Sequence, residues 1–317
     1  MVEWLASFMP GGLEFVLQVQ RAANPALDAL FLAATYLGTD LLLVPLVLCL
    51  YWCVDRSFAA RLAYLVLVSD YINGWVKNVL ALPRPASPEL RLLRPETSPG
   101  FPSGHAQGAI TVWGYLAVRW RAWWWRGLAL LLIALISFSR IYLGVHFPHD
   151  VIGGLLIGLV VFVAYVFALP SCERWIGRWS SPVKIAVAVV LPLALWLAHP
   201  AEWTITSEAR FASYPSDSAA RDMGFLLGLS LGLMAERRWV RFAVEGAWGQ
   251  RILRLPLGMA IVAFFWLGLK LVLPEMTPWL DASVRLIRYG LAGMAAAWWA
   301  PWLFIRVGLA HRQADEA

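Results

Sequence analysis

The sequence predicts an all-α fold: a polytopic membrane helix bundle of about nine transmembrane helices. Three observations carry this. Of 317 residues, 60% are hydrophobic and only 15% charged, against about 25% charged in soluble domains. The mean hydropathy is +0.65. Apolar runs recur between clusters of Trp, Arg and Pro, as spans do between aromatic belts at the headgroup level. Exposed backbone cannot cross hydrocarbon, so each span is expected to be a helix.

Trp123-Trp124-Trp125, between Arg121 and Arg126, is the clearest belt. The net charge of +6 would suggest nucleic acid in a soluble protein. In a membrane protein, positive loops facing the cytoplasm account for it, and no nucleic-acid partner is expected. Met1 to Pro10 holds Glu3 and no Lys or Arg, so a cleaved signal is not expected there. Cys49 and Cys53 share a helix face in an apolar run. That is neither a metal nor a redox spacing, and buried thiols are expected.

Residues 1–25 are expected to be interfacial. Over 11–37, Glu14, Gln18, Gln20, Arg21, Asn24 and Asp28 interrupt the apolar residues. This predicts an interfacial amphipathic helix leading into the first span. That span centres on 41–54, short for a ~30 Å hydrocarbon core, so part of 26–39 extends or supports it. Further spans are expected at 58–77, 105–119, 127–145, 148–169, 184–199, 223–235, 255–273 and 283–305. The chain divides near 170–182, giving a core at 26–170 and a four-span C-terminal extension at 183–317 with no role of its own visible. The loop 200–222 is long enough to fold over a site on the outer face.

With 55–57 placed in the cytoplasm, alternation puts 15 of the 26 Lys and Arg on that side, the C-terminus included. This follows the positive-inside rule. Lys77 to Arg94 breaks it locally on the outer face, which calls for a functional cause.

Three segments supply one. In the first, Lys77 precedes Arg84-Pro85. Alone these are a snorkelling lysine and a loop arginine. Asp70, Asn73 and Lys77, however, share one helical face, and a carboxylate inside a span normally faces the bundle interior. Asp70 is expected to be a structural partner. In the second, Pro102-Ser103-Gly104-His105, Ser103 can cap a helix and Gly104 admits close approach. A helix N-terminus is an anion site; the same tetrapeptide also reads as an ordinary capped start. In the third, Ser139-Arg140 is followed by His146, His149 and Asp150. His146 and Asp150 meet at i, i+4. A carboxylate on one ring nitrogen leaves the other free to attack. His146, His149 and Asp150 could instead ligate metal, but cationic neighbours favour an anion, and no metal or cofactor is expected. Topology brings Lys77, His105, Arg140 and His146 to one membrane face. There the cations would stabilise a transferring phosphoryl group, and two histidines could divide the roles of nucleophile and acid.

This pattern resembles the type 2 phosphatidic acid phosphatase superfamily, which also includes bacterial acid phosphatases and vanadium haloperoxidases. Its three motifs, K-x6-R-P, P-S-G-H and S-R-x5-H-x3-D, occur here without departure between Lys77 and Asp150. The resemblance implies a metal-independent phosphatase. His146 would form a phosphohistidine, Asp150 would orient it, and His105 would protonate the leaving oxygen. Lys77, Arg84, Arg140 and the Ser103-Gly104 backbone would hold the phosphate. The many spans point to the lipid phosphatase branch. Its members act on undecaprenyl diphosphate, phosphatidylglycerophosphate, phosphatidic acid and related lipids, with the bilayer and a lipid phosphate as partners. The expected location is the plasma membrane, with the site on the extracytoplasmic face. Other readings stay open: a phosphotransferase between a lipid diphosphate and another lipid, a non-catalytic lipid-phosphate binder or transporter, and an intramembrane scaffold. The last leaves the cationic cluster unexplained.

Overall fold

The computed structural model describes residues 1–120, 122–206, 209–272 and 277–313. Arg121, Leu273 at the end of one expected span, and the last four residues lie outside these. The described chain is mostly helical: α1 (Val2–Ala6), α2 (Met9–Arg21), α3 (Pro25–Tyr36), α4 (Asp40–Cys53), α5 (Arg56–Leu80), α6 (Gly104–Arg119), α7 (Trp123–Tyr142), α8 (Pro148–Gly177), α9 (Ser181–Ala198), α10 (Asp217–Ala235), α11 (Trp248–Val272), α12 (Pro278–Met294) and α13 (Ala300–Arg306). Wide π-helical turns at Glu236–Val240 and Ala295–Trp299 follow α10 and α12.

Among the described residues, α7, α8, α9 and α11 are long and apolar enough to cross a bilayer. The pair α3–α4, bent by 47°, makes a fifth if it is one span. The count of nine is therefore not confirmed. Helix α6, with 16 residues, is about 24 Å long, short of the ~30 Å core. Helices α5, α10 and α12 carry Asp70 and Lys77, Asp222 and Arg221, and Arg285 and Arg288. The single helix expected over 11–37 is two. Asn24 breaks it, its side chain accepting the Ala26 and Leu27 amides at 3.1 Å each, and Pro25 opens α3. Such a polar cap followed by proline starts a new helix.

The described chain forms two compact units. The first comprises Met1–Leu43, Val68–Cys172 and Pro200–Ser213. In it Val16, Ala106, Ile141 and Val151 make one apolar cluster, joining α2, α6, α7 and α8. Phe31, Tyr142, Leu143 and Val145 make another. Helix α2 does not merely lie on a surface: Val16 is fully buried, and the buried Gln20 donates to the carbonyls of Arg91 and Tyr142, each at 2.9 Å, while accepting the Arg91 amide at 3.0 Å. One side chain thus ties α2, the 81–103 loop and the end of α7 together. The expected loop over 200–222 is in part a hairpin, β1 (Glu202–Ile205) antiparallel to β2 (Arg210–Ser213). It bonds to the segment around the 81–103 loop through Trp203 N to Asn78 Oδ1 (2.9 Å), Ile205 N to Thr97 O (2.7 Å) and Arg210 Nη2 to Ala81 O (3.1 Å).

The second unit comprises Val44–Leu67, Glu173–His199 and Tyr214–Ala317. Gly224 and Gly228 let α10 approach the α12 backbone where a Cβ would collide with the Leu286 and Gly290 carbonyls, a contact that small residues permit between membrane helices. Trp52 Nε1 and Tyr51 Oη donate to Ala296 O and Ala297 O, at 2.9 and 3.2 Å, on the second wide turn. Buried Arg254 donates to four backbone carbonyls. Cys49 and Cys53 are half-buried, not buried as expected.

Candidate active site

The expected site residues lie in the first unit and come together. Lys77 ends α5 and donates to the carbonyls of Pro99 (2.7 Å) and Gly100 (3.4 Å). Gly100 packs against the loop and Asp150 as only glycine can: a Cβ would sit 2.7 Å from Pro83 O and 3.3 Å from Asp150 Oδ2. Arg140, at the end of α7, is fully buried. Its Nη1 donates to Thr35 Oγ1 at 2.6 Å, and its Nη2 to Glu96. Arg84 reaches from the loop, with Nη2 2.8 Å from the other Glu96 oxygen.

Ser103 caps α6 through its Oγ, at 3.5 Å from Ala106 N. Its own amide donates to the Asp150 carbonyl at 2.9 Å, so it ties α6 to α8 and is not a free donor. Gly104 and His105 open α6, where first-turn N–H groups have no partner within the helix. Gly104 packs closely on Asn73, whose Oδ1 would lie 3.1 Å from a Cβ there. Below it, Asn73 Nδ2 donates to Gln107 Oε1 at 2.8 Å, and Gln107 Nε2 to Ser69 O at 2.7 Å. This amide chain locks α6 to α5. His105 Nε2 is buried with no hydrogen-bond partner among the described residues.

The arrangement around His146 fixes its tautomer. Arg84 Nη1 lies 2.9 Å from His146 Nε2. A guanidinium can only donate, so Nε2 carries the lone pair and Nδ1 the proton. Nδ1 faces Asp150 Oδ2 at 3.3 Å, and the same oxygen accepts the Phe147 amide at 2.9 Å. The nitrogen free to attack therefore points to the cations, and the carboxylate stands behind the ring. His146 and Asp150 are both buried. Burial first, then the charges of Arg84, Lys77 and Arg140, push the His146 imidazole well below its ordinary 6.5, so it is neutral and nucleophilic near neutral pH. Burial raises the Glu96 carboxyl, but Arg140 and Arg84 more than offset this and hold it at about 2.

His149 stacks on Phe147 at 5.2 Å, with Nε2 3.4 Å from Asp150 Oδ1. Sequence reasoning missed Glu96 and Thr35, and it missed the partners of Gln20 and of Asn73, which it had placed only as an interfacial glutamine and as a residue on the inward face of Lys77. Glu96 left one trace, as an acid between the motif cations Arg84 and Arg140 in the sequence.

A family model described as PAP2 superfamily matches residues 58–174, and one described as PAP2 superfamily phosphatase, transmembrane extension matches 220–312. Among curated proteins, lipid phosphate phosphatase delta of Arabidopsis thaliana is 28% identical over 261 residues, 77% of this chain and 60% of that protein. The chain thus spans about three-fifths of that relative's length. Sphingosine-1-phosphate phosphatase 1 of Mus musculus is 24% identical, over 92% of this chain and 75% of that protein. Among solved structures, Aquifex aeolicus LpxE is 30% identical, over 49% of this chain and 93% of its own, with a TM-score of 0.44. The first matched model takes in the three motifs and the second takes in α10 to α13, and the chain belongs to the PAP2 superfamily.

Proposed function

We propose that this chain hydrolyses a lipid phosphate or diphosphate through a phosphohistidine on His146 Nε2. The observation that carries the reading is the orientation of that ring: Arg84 on Nε2, Asp150 on Nδ1. A phosphoryl group held by Lys77, Arg84, Arg140 and the first-turn amides of α6 would lie against the lone pair. Attack breaks the bond to the leaving oxygen, which takes a proton from His105. A water then displaces the phosphoryl group from His146, with His105 accepting the water's proton. The cations stabilise the charge of the transferring group.

Lipid phosphates are the substrate class because several of the relatives, by name, act on lipid phosphates and sphingosine-1-phosphate, others being glucose-6-phosphatase subunits, and because the chain has bilayer-length apolar helices. We assign the catalysis to 26–170, with 1–25 as an interfacial N-terminal segment and 183–317 as a C-terminal transmembrane extension. The positive-inside balance supports a plasma-membrane setting with the site extracytoplasmic and the C-terminus cytoplasmic.

The test is phosphate release from undecaprenyl diphosphate, phosphatidylglycerophosphate and phosphatidic acid side by side, in detergent. Release by the wild-type protein and none by His146→Ala is expected. Wild-type turnover by His146→Ala would sink the mechanism. Mass spectrometry of the products separates hydrolysis from transfer to a second lipid.

A further inference from the structure

The donors of Arg84 can be counted. Its Nε gives to Ser98 O at 2.7 Å. Its Nη1 gives to Val145 O at 2.7 Å and His146 Nε2 at 2.9 Å. Its Nη2 gives to Ser98 Oγ at 3.0 Å and to Glu96 Oε2 at 2.8 Å. A guanidinium has five N–H groups, and all five are engaged. A phosphoryl oxygen can reach Arg84 only by exchange. Two of the partners are backbone carbonyls and one is the seryl hydroxyl beside them. The other two are His146, which must turn its lone pair to phosphorus in any attack, and Glu96.

Glu96 is the partner placed to leave. Its carboxylate takes Arg84 on one oxygen and Arg140 on the other, as a phosphoryl group held by both arginines would. Its side chain is 24% exposed, against 12% for Arg84 and 0% for Arg140, so it is the member of the trio with a way out. It is also an anion, and two anions on one pair of guanidiniums repel. No motif includes Glu96.

We propose that Glu96 is a resident competitor in the phosphate seat. Its carboxylate holds Arg84 and Arg140, yields them to an incoming phosphoryl group, and retakes them as inorganic phosphate leaves. The competition lowers phosphate affinity and speeds product release. A carboxylate bridging two guanidiniums keeps them poised for a tetrahedral anion without the mutual repulsion they would otherwise suffer. This inference rests on the phosphatase reading only for its product-release step; the anion competition stands by itself.

The probe is inorganic phosphate, binding to the purified full chain in detergent by calorimetry and, where turnover is seen, as an inhibition constant. Glu96→Gln and Glu96→Ala are expected to bind phosphate at least tenfold more tightly than wild type. In Glu96→Ala, added acetate should weaken phosphate binding competitively while leaving wild type unaffected. A carboxylate that served only to brace the arginines would not give that result. Should both variants fail to fold, Glu96→Asp decides: it keeps the charge but is one methylene too short to bridge both guanidiniums, and phosphate should bind several-fold tighter. Equal or weaker phosphate binding in the folded variants overturns the proposal. If wild type turns over lipid phosphates while Glu96→Gln binds phosphate no tighter, the competitor is lost and the phosphatase stands. If no lipid phosphate is turned over but the variants still bind phosphate tighter, the phosphatase is lost and the competing carboxylate stands.

Discussion

Replacing Asp150 by Asn separates what the carboxylate does by shape from what it does by charge. Its Oδ2 takes two donors, His146 Nδ1 and the Phe147 amide. An amide oxygen has two lone pairs and can take both, so the Asp150→Asn variant would keep the ring oriented and its tautomer unchanged. What is lost is the negative charge behind an imidazole that becomes cationic on phosphorylation, among Lys77, Arg84 and Arg140. Two unit charges about 4 Å apart at an effective dielectric of 20 interact by about 4 kcal/mol. A hydrogen bond to a charged group exceeds a neutral one by about 1–2 kcal/mol. These overlap, and we expect a loss of about 2–4 kcal/mol, or roughly 30- to 1,000-fold in kcat. The assay is single-turnover phosphate release from labelled lipid phosphate, with the acid-labile, base-stable phosphoenzyme trapped in alkali. Slower formation of the same phosphohistidine is the expected result. A kcat within threefold of wild type would refute a charge role for Asp150. A loss as complete as in His146→Ala would show that the amide turns over and flips the tautomer instead.

Excess chelator should leave phosphate release unchanged within twofold, since the cations of the site are side chains; loss of activity in EDTA that zinc or magnesium restores would bring back the metal reading. The lowered pKa of His146 gives a pH prediction with a definite sign. Neutral imidazole is the reactive form, so the acid limb of kcat/KM should lie below pH 6.5. The folded state resists a proton that the unfolded chain takes up, so His146 lowers stability as pH falls below 6.5; an acid limb above 7 would contradict the burial of this ring. Gln20→Ala strands the buried Tyr142 carbonyl and takes a partner from the part-buried backbone of Arg91. An unsatisfied buried polar group costs about 1–3 kcal/mol, which thermal unfolding in detergent should show as a fall of several degrees. Asn78→Ala removes the side chain that holds the Trp203 amide, and limited proteolysis within 200–213 should speed up while the helices stay resistant.

The three motif segments were legible because each is a short stretch of sequence at a helix end and the loop beside it, where spacing can be read directly. His146 and Asp150 are four residues apart across the start of α8, and Ser103-Gly104-His105 is a helix start whatever surrounds it. What spacing cannot carry is a partner from a distant segment. Thr35, Gln20 and Glu96 come from α3, α2 and the loop, and meet the motif only after α7 packs between them. As isolated letters they were an apolar-helix threonine, an interfacial glutamine and a loop acid. The helix count of nine is not confirmed for a related reason. A helix that carries a site spends apolar positions on polar ones: Ser69, Asn73 and Lys77 on α5 are what make the site, and they also take that helix below the apolarity of a free-standing span. Four of the nine expected spans, in α5, α6, α10 and α12–α13, fall short in length, apolarity or continuity. Two of those, α5 and α6, bear Lys77 and His105. In such a chain the segments least like spans by composition are the ones to search for chemistry, because a polar group is tolerated at membrane depth only where protein or a ligand satisfies it.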